Sequence, residues 1–399
     1  MATDRRVDAA GSYIQKTLIV VRMELTDEER FIRRHVREFG REEIEPVAVE
    51  HEREGRYPWD VIETAAEADL LAPRLDESVG GAGIDVVASL LVNEELHRAD
   101  PGIAESVTST TFGCEPLVEY GRDEHVEEWV RPATRGETVT GVAMTEPEAG
   151  SDFATIRTTA ERDGNEYLLN GDKVFISNGS VADALVVYAR TSEPEELHRG
   201  ISAFVVPTDR EGVDRTSMDG YLGPAPTDVA QVFLNDVRVP VEDRLGEEGD
   251  GFYQAMAFLD EARLEVAAAS IGAARGAMDL LREYITEREA FGDAVAEKQA
   301  VRHRVADLET RLDAGRALVY EVGRDLEREG EVDSDRSAKA KLLATTLLED
   351  VASEAVQLHG GYGVFDEYRV ETFFRFSKIP QIYEGTNEIL REVIAEGTL

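Results

Sequence analysis

The stretch FYQAMAFLDEARLEVAAASIGAARGAMDLLREYITERE, residues 252–289, contains no proline and is rich in alanine. Alanine loses no side-chain freedom in a helix, so this run predicts one long helix. Two further long helices are expected, in KQAVRHRVADLETRLDAGRALVYEVGRDLERE (298–329) and SDRSAKAKLLATTLLEDVASEAVQLHG (334–360). Gly360 and Gly361 should stop the latter. A short fourth helix is expected in TNEILREVIAEG (386–397), capped by Thr386 or Asn387. Long helices with short connections make a four-helix bundle, so residues 250–399 read as a C-terminal bundle domain.

Upstream the texture changes. Residues 140–249 carry short β-rich runs: EYLLNGDKVFIS (166–177), ADALVVYAR (182–190), ISAFVVP (201–207) and VAQVFLNDVRVP (229–240). Gly, Asn, Asp and Pro punctuate them, which predicts a middle antiparallel β domain, sandwich or barrel. Residues 23–139 read as helical again, with Phe31, Ile32, Val36, Phe39 and Ile44 at near-helical spacing. Thr26 and Glu29 form a capping-box pattern at the start of this N-terminal helical domain. ESVGGAGID (77–85) superficially resembles a dinucleotide fingerprint, but no β-branched strand precedes it, so a loop between helices is the better reading. The class is α+β, in the order α, β, α. Residues 1–22 read as a dispensable arm, or as an upstream start that is not used in the mature protein.

Charge excludes whole classes of partner. The chain has 399 residues, 42% of them hydrophobic, and a formal net charge of −39. Such a field repels a phosphate backbone and an anionic lipid surface, so neither nucleic acid nor membrane is expected as a partner. Only six of the 43 basic residues are Lys. High acidity with scarce Lys resembles proteins of salt-loving microbes, where counter-ions screen the acidic surface. A single cysteine, Cys114, excludes an internal disulfide framework and a four-thiolate zinc site, and the seven histidines show no metal spacing. No stretch approaches the length of a membrane span and no secretory segment is visible, so a cytoplasmic location is expected.

Four segments stand out from the acidic background. MTEPEAGSD (144–152) is a Pro- and Gly-containing turn that brings backbone amides and the hydroxyls of Thr145 and Ser151 together. It suits a phosphate or a polar heterocycle, although an ordinary capped turn would look the same. In NGDKVFISNG (170–179), Phe175 and Ser177 are two apart and share a strand face. They could stack on and hydrogen-bond a ring, or Phe175 could simply be core. REAFGDAVAEKQ (288–299) separates two helices and offers Arg288, Phe291 and Gln299. Arg288 would suit a phosphate or lie free in solvent. In QIYEGTNEI (381–389), Glu384 sits between Tyr383 and Gly385 just before a helix, a place for a cap or a site carboxylate.

Taken in order, these segments resemble the acyl-CoA dehydrogenase family. The resemblance runs through GGAGID (80–85), NEELHRAD (93–100), TEPEAGSD (145–152), NGDKVFISNG (170–179) and LNDVRVP (234–240). It continues through GEEGDGF (246–252), REAFG (288–292), QLHGGYG (357–363) and IYEGTNEI (382–389). It implies an FAD enzyme that oxidises an acyl-CoA thioester to its trans-2-enoyl-CoA, passing electrons to an electron-transfer flavoprotein. It assigns the α-proton to Glu384 and the β-hydride to flavin N5. Met144 and Thr145 would contact the flavin ring, and Ser151 would lie near flavin and CoA. Phe175 takes the place often held by Trp, and Ser177 the place often held by Thr. Arg288, Phe291 and Gln299 would reach the FAD of a neighbouring subunit, with Gln357, Gly360 and Gly361 along its pyrophosphate. Thr386 and Glu388 would also meet FAD. Asp260 and Arg263 would hold the CoA arm, and Tyr383 and Gly385 would touch substrate. A shared flavin implies an oligomer, usually a homotetramer.

Several positions depart from the family pattern. Members that place the base on the long helix have it where this chain has Ala262, so Glu384 is the base that remains. YLGPAPTDVAQV (221–232) lacks the commoner Arg and Ser turn, and Phe376 stands where an Asp is usual, which suggests a missing salt bridge. Glutaryl-type enzymes have an Arg where this chain offers Ala104 and Glu105, which disfavours a dicarboxylyl-CoA substrate. The alternatives kept open are a flavin oxidase on the same fold and a non-catalytic flavin-binding scaffold.

Overall fold

The computed structural model describes residues 25–192 and 194–399, so the expectation for residues 1–22 lies outside the described residues. The order is helical, then β, then helical, as expected. Thr26 caps the helix Asp27–Phe39 through a capping box with Glu29. The helix Val86–Ala99 is preceded by Asp85, whose carboxylate accepts from the Ala88 amide at 2.7 Å. Asp100 caps the next helix, Pro101–Ser109, with proline in its first turn, where a missing N–H costs nothing.

The middle region forms one main sheet in the order β6-β7-β3-β2-β4-β5-β8. Its strands are β1 Thr140–Ala143, β2 Thr159–Asp163, β3 Glu166–Ser177, β4 Ala184–Arg190, β5 Ile201–Pro207, β6 Val213–Ser217, β7 Val229–Pro240 and β8 Arg244–Leu245. Most neighbours are antiparallel. The departures from the expected pattern centre on β4, which β1 joins in parallel, with Gly141 opposite Leu185 and Ala143 opposite Val187, and which β2 also meets in parallel at Thr159 and Arg190. A parallel neighbour needs a long crossover, and residues 144–183 supply it. Every residue of β4 is buried, because separate apolar clusters cover the sheet's two faces. That is why ALVVYAR shows no alternation.

The C-terminal helices are Gly251–Glu287, Gln299–Glu329, Ser334–His359 and Asn387–Thr398, with a short helix Val370–Phe376 between the last two. Gly360, at φ +62°, ends the third long helix, and Thr386 rather than Asn387 caps the last. The small residues of 252–289 now have a packing reason. A Cβ on Gly272 would lie 2.0 Å from the Glu94 carbonyl, and one on Gly276 2.3 Å from that of Arg98. The helix Val86–Ala99 therefore presses directly on the long helix and contributes Val87, Leu90 and Leu91 to the bundle core. Glu94, fully buried at that crossing, accepts from Arg316 at 2.7 Å and Tyr320 at 2.6 Å. The N-terminal helices are thus locked to the bundle by apolar contact and by a satisfied buried charge.

Candidate active site

Glu384 occupies the turn between Tyr383 and the helix that begins at Asn387. Its φ of +51° is left-handed, which costs a non-glycine residue about 1–3 kcal/mol and persists only where neighbours enforce it. Two cations do so. Lys341, fully buried on the helix Ser334–His359, donates to the Tyr383 carbonyl and, at 2.7 Å, to that of Gly385. Arg263 reaches the Glu384 carbonyl at 3.4 Å from the long helix. Arg263 is also paired with Asp260, which accepts from Ser334 at 2.7 Å. Asp260 and Arg263 thus lie together beside the turn, as their three-residue spacing implies.

The Glu384 carboxylate is enclosed, and its Oε2 has no hydrogen-bond partner among the described residues. Burial pushes its pKa up to about 7; Lys341 opposes the shift, Glu105 adds to it, and Arg263 opposes it again. Burial likewise pushes Lys341 down to about 8, while Glu384 holds it up. The result is a carboxyl poised near neutrality, with an oxygen free to take a proton. The Glu384 amide also makes no backbone hydrogen bond among the described residues.

The turn at 144–152 is built as a rigid shelf. Glu146 and Ala149 exchange backbone hydrogen bonds at 2.9 and 3.2 Å. Lys173, fully buried on β3, donates to Glu146 at 2.8 Å and to the Met144 carbonyl at 3.0 Å. Glu146 also accepts from the amides of Arg157 and Thr158. Burial pushes Lys173 down to about 8, with Glu146 limiting the fall. The Thr145 carbonyl accepts from the Val174 amide at 2.9 Å, which fixes Met144 and Thr145 beside Phe175.

Phe175 is 64% exposed and sits at φ +60°, in the register break of β3 between Lys173 and Ile176. Ser177, two residues on, is exposed too. A bare aromatic ring held in a strained conformation beside a hydroxyl fits a flat heterocycle and has no packing reason of its own. The strand end is tied across to the helix Pro101–Ser109, since Asn178 donates to the Ser109 carbonyl at 2.9 Å. Glu105 of that helix meets the Tyr383 hydroxyl at 3.5 Å from the opposite side. One helix therefore links the Phe175 ledge to the Glu384 turn.

Arg288 and the segment 357–361 meet at an end of the bundle. Arg288 and Phe291 are exposed, and Gln299 opens its helix there. Phe291 is fully exposed at φ +57°. Arg288 lies 5.8 Å from the ring of Tyr362, adjacent to Gly361. Gln357, Gly360 and Gly361 are exposed at the end of the helix Ser334–His359, and a Cβ on either glycine would meet nothing within 4 Å. Such a surface leaves backbone open to an anionic group. Ser151 and Glu388 are exposed, and Thr386 is half-buried because its hydroxyl serves as the helix cap.

The anticipated gap at Phe376 is filled differently. Phe376 is buried against His97, and Arg375 turns to Glu52 at 2.5 Å and Glu371 at 2.6 Å. Arg375 also donates to the Gly223 carbonyl at 2.9 Å, so the divergent turn of 221–232 is anchored by this network. Sequence reasoning missed Lys341, Lys173 and Glu146. The available signal was the scarcity of lysine itself: a residue used six times in the chain is twice fully buried at this site. Among the described residues, no group of His, Cys, Asp and Glu could hold a metal ion, and no helix is long and apolar enough to cross a membrane.

Comparison with known proteins finds matches along nearly the whole described chain. Residues 26–137, 141–237 and 249–399 match the N-terminal, middle and C-terminal domain models of acyl-CoA dehydrogenase. An acyl-CoA dehydrogenase of Bacillus subtilis is 36% identical over 94% of this chain and 98% of its own. A subunit of the caffeyl-CoA reductase–Etf complex of Acetobacterium woodii is 35% identical over 94% of this chain and 98% of its own. The structure of a Mycobacterium smegmatis glutaryl-CoA dehydrogenase with FADH2 superposes with a TM-score of 0.89, at 27% identity, covering 94% of this chain and 95% of the other.

Proposed function

The chain belongs to the acyl-CoA dehydrogenase family, and from that premise we propose that it oxidises an acyl-CoA thioester to its trans-2-enoyl-CoA with Glu384 as the base. The observation that carries this reading is the Glu384 carboxylate, enclosed, unpartnered at Oε2 and held in a strained turn by a buried lysine. Ordinary glutamate, near pKa 4.3, is too weak a base for an α-proton. Enclosure raises its proton affinity, and the free Glu384 amide can donate to the thioester oxygen and acidify the α-carbon.

FAD, when bound, supplies the acceptor for the β-hydride at N5. Met144, Thr145, Phe175 and Ser177 would hold its ring, and Ser151 would lie where ring and CoA meet. Arg288, Phe291 and Gln299 would reach the FAD of a neighbouring subunit, with Gln357, Gly360 and Gly361 along its pyrophosphate, and Thr386 and Glu388 would also meet FAD. Asp260 and Arg263 would hold the CoA arm, and Tyr383 and Gly385 the acyl group. This division requires an oligomer, and a homotetramer is the form proposed. An electron-transfer flavoprotein is the proposed electron partner, in line with the Etf complex of the A. woodii relative.

That relative also favours a second reading, in which the same residues run in reverse and Glu384 returns a proton to C2 of an enoyl-CoA. The test is anaerobic mixing of the purified flavoprotein with acyl-CoAs of graded length and branching while flavin absorption is recorded. Bleaching by a saturated thioester supports oxidation. Bound flavin that no acyl-CoA bleaches points to the oxidase or scaffold alternatives.

A further inference from the structure

Tyr383 precedes Glu384 in the chain, and its hydroxyl donates to Glu105 Oε2 at 3.5 Å, on the helix Pro101–Ser109. The same oxygen lies 3.4 Å from Nε2 of His97, on the helix Val86–Ala99. The His97 side chain is 1% exposed and that of Glu105 25%. The other ring nitrogen of His97, Nδ1, lies 3.0 Å from the Asn93 carbonyl, one turn back on the same helix. The ring packs against Phe376, with 5.9 Å between centroids.

Both polar neighbours of the His97 ring are acceptors. A neutral imidazole has one N–H and can serve only one of them. The carbonyl can only accept, so Nδ1 carries a hydrogen. Nε2 then faces a carboxylate oxygen, and that contact holds only with a second proton between the two atoms. A histidine that merely fills the core needs no such arrangement. His359 makes the same bond one turn back, to the Ala355 carbonyl at 2.8 Å, and no second one among the described residues.

The supports of this pair are fixed. The Asp100 carboxylate accepts from the Gly102 and Ile103 amides at 3.0 and 3.1 Å, at the junction of the two helices. Tyr383 is held at its carbonyl by Lys341 and at its hydroxyl by Glu105. Glu384 follows directly in a left-handed conformation, so a shift of Tyr383 moves the carboxylate.

Resting on the reading of Glu384 as the base, we infer that His97 is a positioning residue: through a shared proton it holds Glu105 against the Tyr383 hydroxyl and so fixes the turn that aims the Glu384 carboxylate. Charge supports the same chain of contacts. Glu105 is met by His97, by Tyr383 and Glu384 from the turn, and by Tyr221 from the loop between β6 and β7. Glu384 is faced in addition by Lys341, Arg263, Glu115 and Glu265. The Glu105 charge raises the proton affinity of Glu384, and the proton shared with His97 limits that rise.

The experiment follows anaerobic flavin reduction across pH, with the acyl-CoA that bleaches wild type fastest, in His97→Phe, Glu105→Gln and the double variant. His97→Phe should lower the limiting rate about tenfold or more while half-saturation by the thioester changes less than about twofold. The double variant should be no slower than Glu105→Gln, because His97 acts through Glu105. The rising limb of kcat/KM should move to higher pH in His97→Phe, where the Glu105 charge stands unshielded, and to lower pH in Glu105→Gln, where it is gone. If His97→Phe does not fold, His97→Gln keeps a donor for Glu105 and should show a smaller loss of rate with the limb moved the same way. An unchanged limiting rate on replacing His97, additive losses in the double variant, or a limb that does not move in opposite directions overturns the inference and leaves the dehydrogenase reading intact. Wild-type flavin that no acyl-CoA bleaches overturns both.

Discussion

Lys341 donates to the carbonyls on both sides of Glu384, those of Tyr383 and Gly385, so one buried ammonium holds the turn and sets the charge beside the carboxylate. These two roles separate in a mutant. Lys341→Met removes the clamp and the positive neighbour together. The rate of flavin reduction should fall, by about 10- to 100-fold if the carboxylate loses its position. The apparent pKa of the base should rise, because the cation that lowered it is gone. A pH profile of the variant checks both. A lowered rate with an unmoved pKa would show that Lys341 only shapes the backbone.

The wild-type pH dependence follows from the same groups. Lys341 and Arg263 favour the ionised form of Glu384, and Glu105, Glu115 and Glu265 face it as like charges. With a pKa of about 7 in the free enzyme, kcat/KM should climb with pH and level off above that value. Stability should move the opposite way. A carboxyl raised from 4.5 to about 7 keeps its proton longer in the folded chain than in the unfolded one. Its contribution is therefore present below 4.5 and lost as pH rises through about 7. Melting temperatures of wild type and Glu384→Gln across that window measure the effect as a gap that narrows toward low pH.

Lys173 and Glu146 hold the 144–152 turn against β3, with both side chains almost fully buried. Lys173→Met leaves Glu146 enclosed without its cation, which should cost about 3–5 kcal/mol of stability. Flavin retention should weaken too, since the Met144 carbonyl loses its donor. Denaturant titration of the flavin-free variant and the amount of flavin copurified check the two effects separately.

Charge spread over the surface sets the solvent the protein needs. At a net charge of −39, self-repulsion opposes folding, and screening within a Debye length of about 3 Å at 1 M salt should relieve it. Thermal stability should increase between 0.1 and about 2 M potassium chloride, as read by a melting scan at each concentration. A flat or falling curve would contradict the salt-adapted reading of the composition.

The fold was largely legible because its information is local. Alanine density and period announce the helix Gly251–Glu287, Thr26 and Glu29 announce a capping box, and Gly360 marks a stop. What was not legible is set by pairing over distance. Nothing in TGVA (140–143) says that it will lie parallel to ALVVYAR (184–190). Nothing in PRLDE (73–77), in CEP (114–116) or in the long helix says that Arg74, Glu115 and Glu265 will share a cavity. Glu384 stood out only because its neighbours are an aromatic and a glycine. The lysine that positions it lies 43 residues earlier, on a helix whose sequence shows only another charged residue.

The central claim is that Glu384 takes the α-proton. Glu384→Gln keeps the shape and volume of the side chain and removes the base. The decisive measurement is flavin absorption after anaerobic mixing of this variant with the acyl-CoA that bleaches wild type fastest. The account predicts that the variant retains its flavin, binds the thioester and fails to bleach, or bleaches at least about 10³-fold more slowly. Bleaching at the wild-type rate would contradict it and send the search for the base elsewhere in the site.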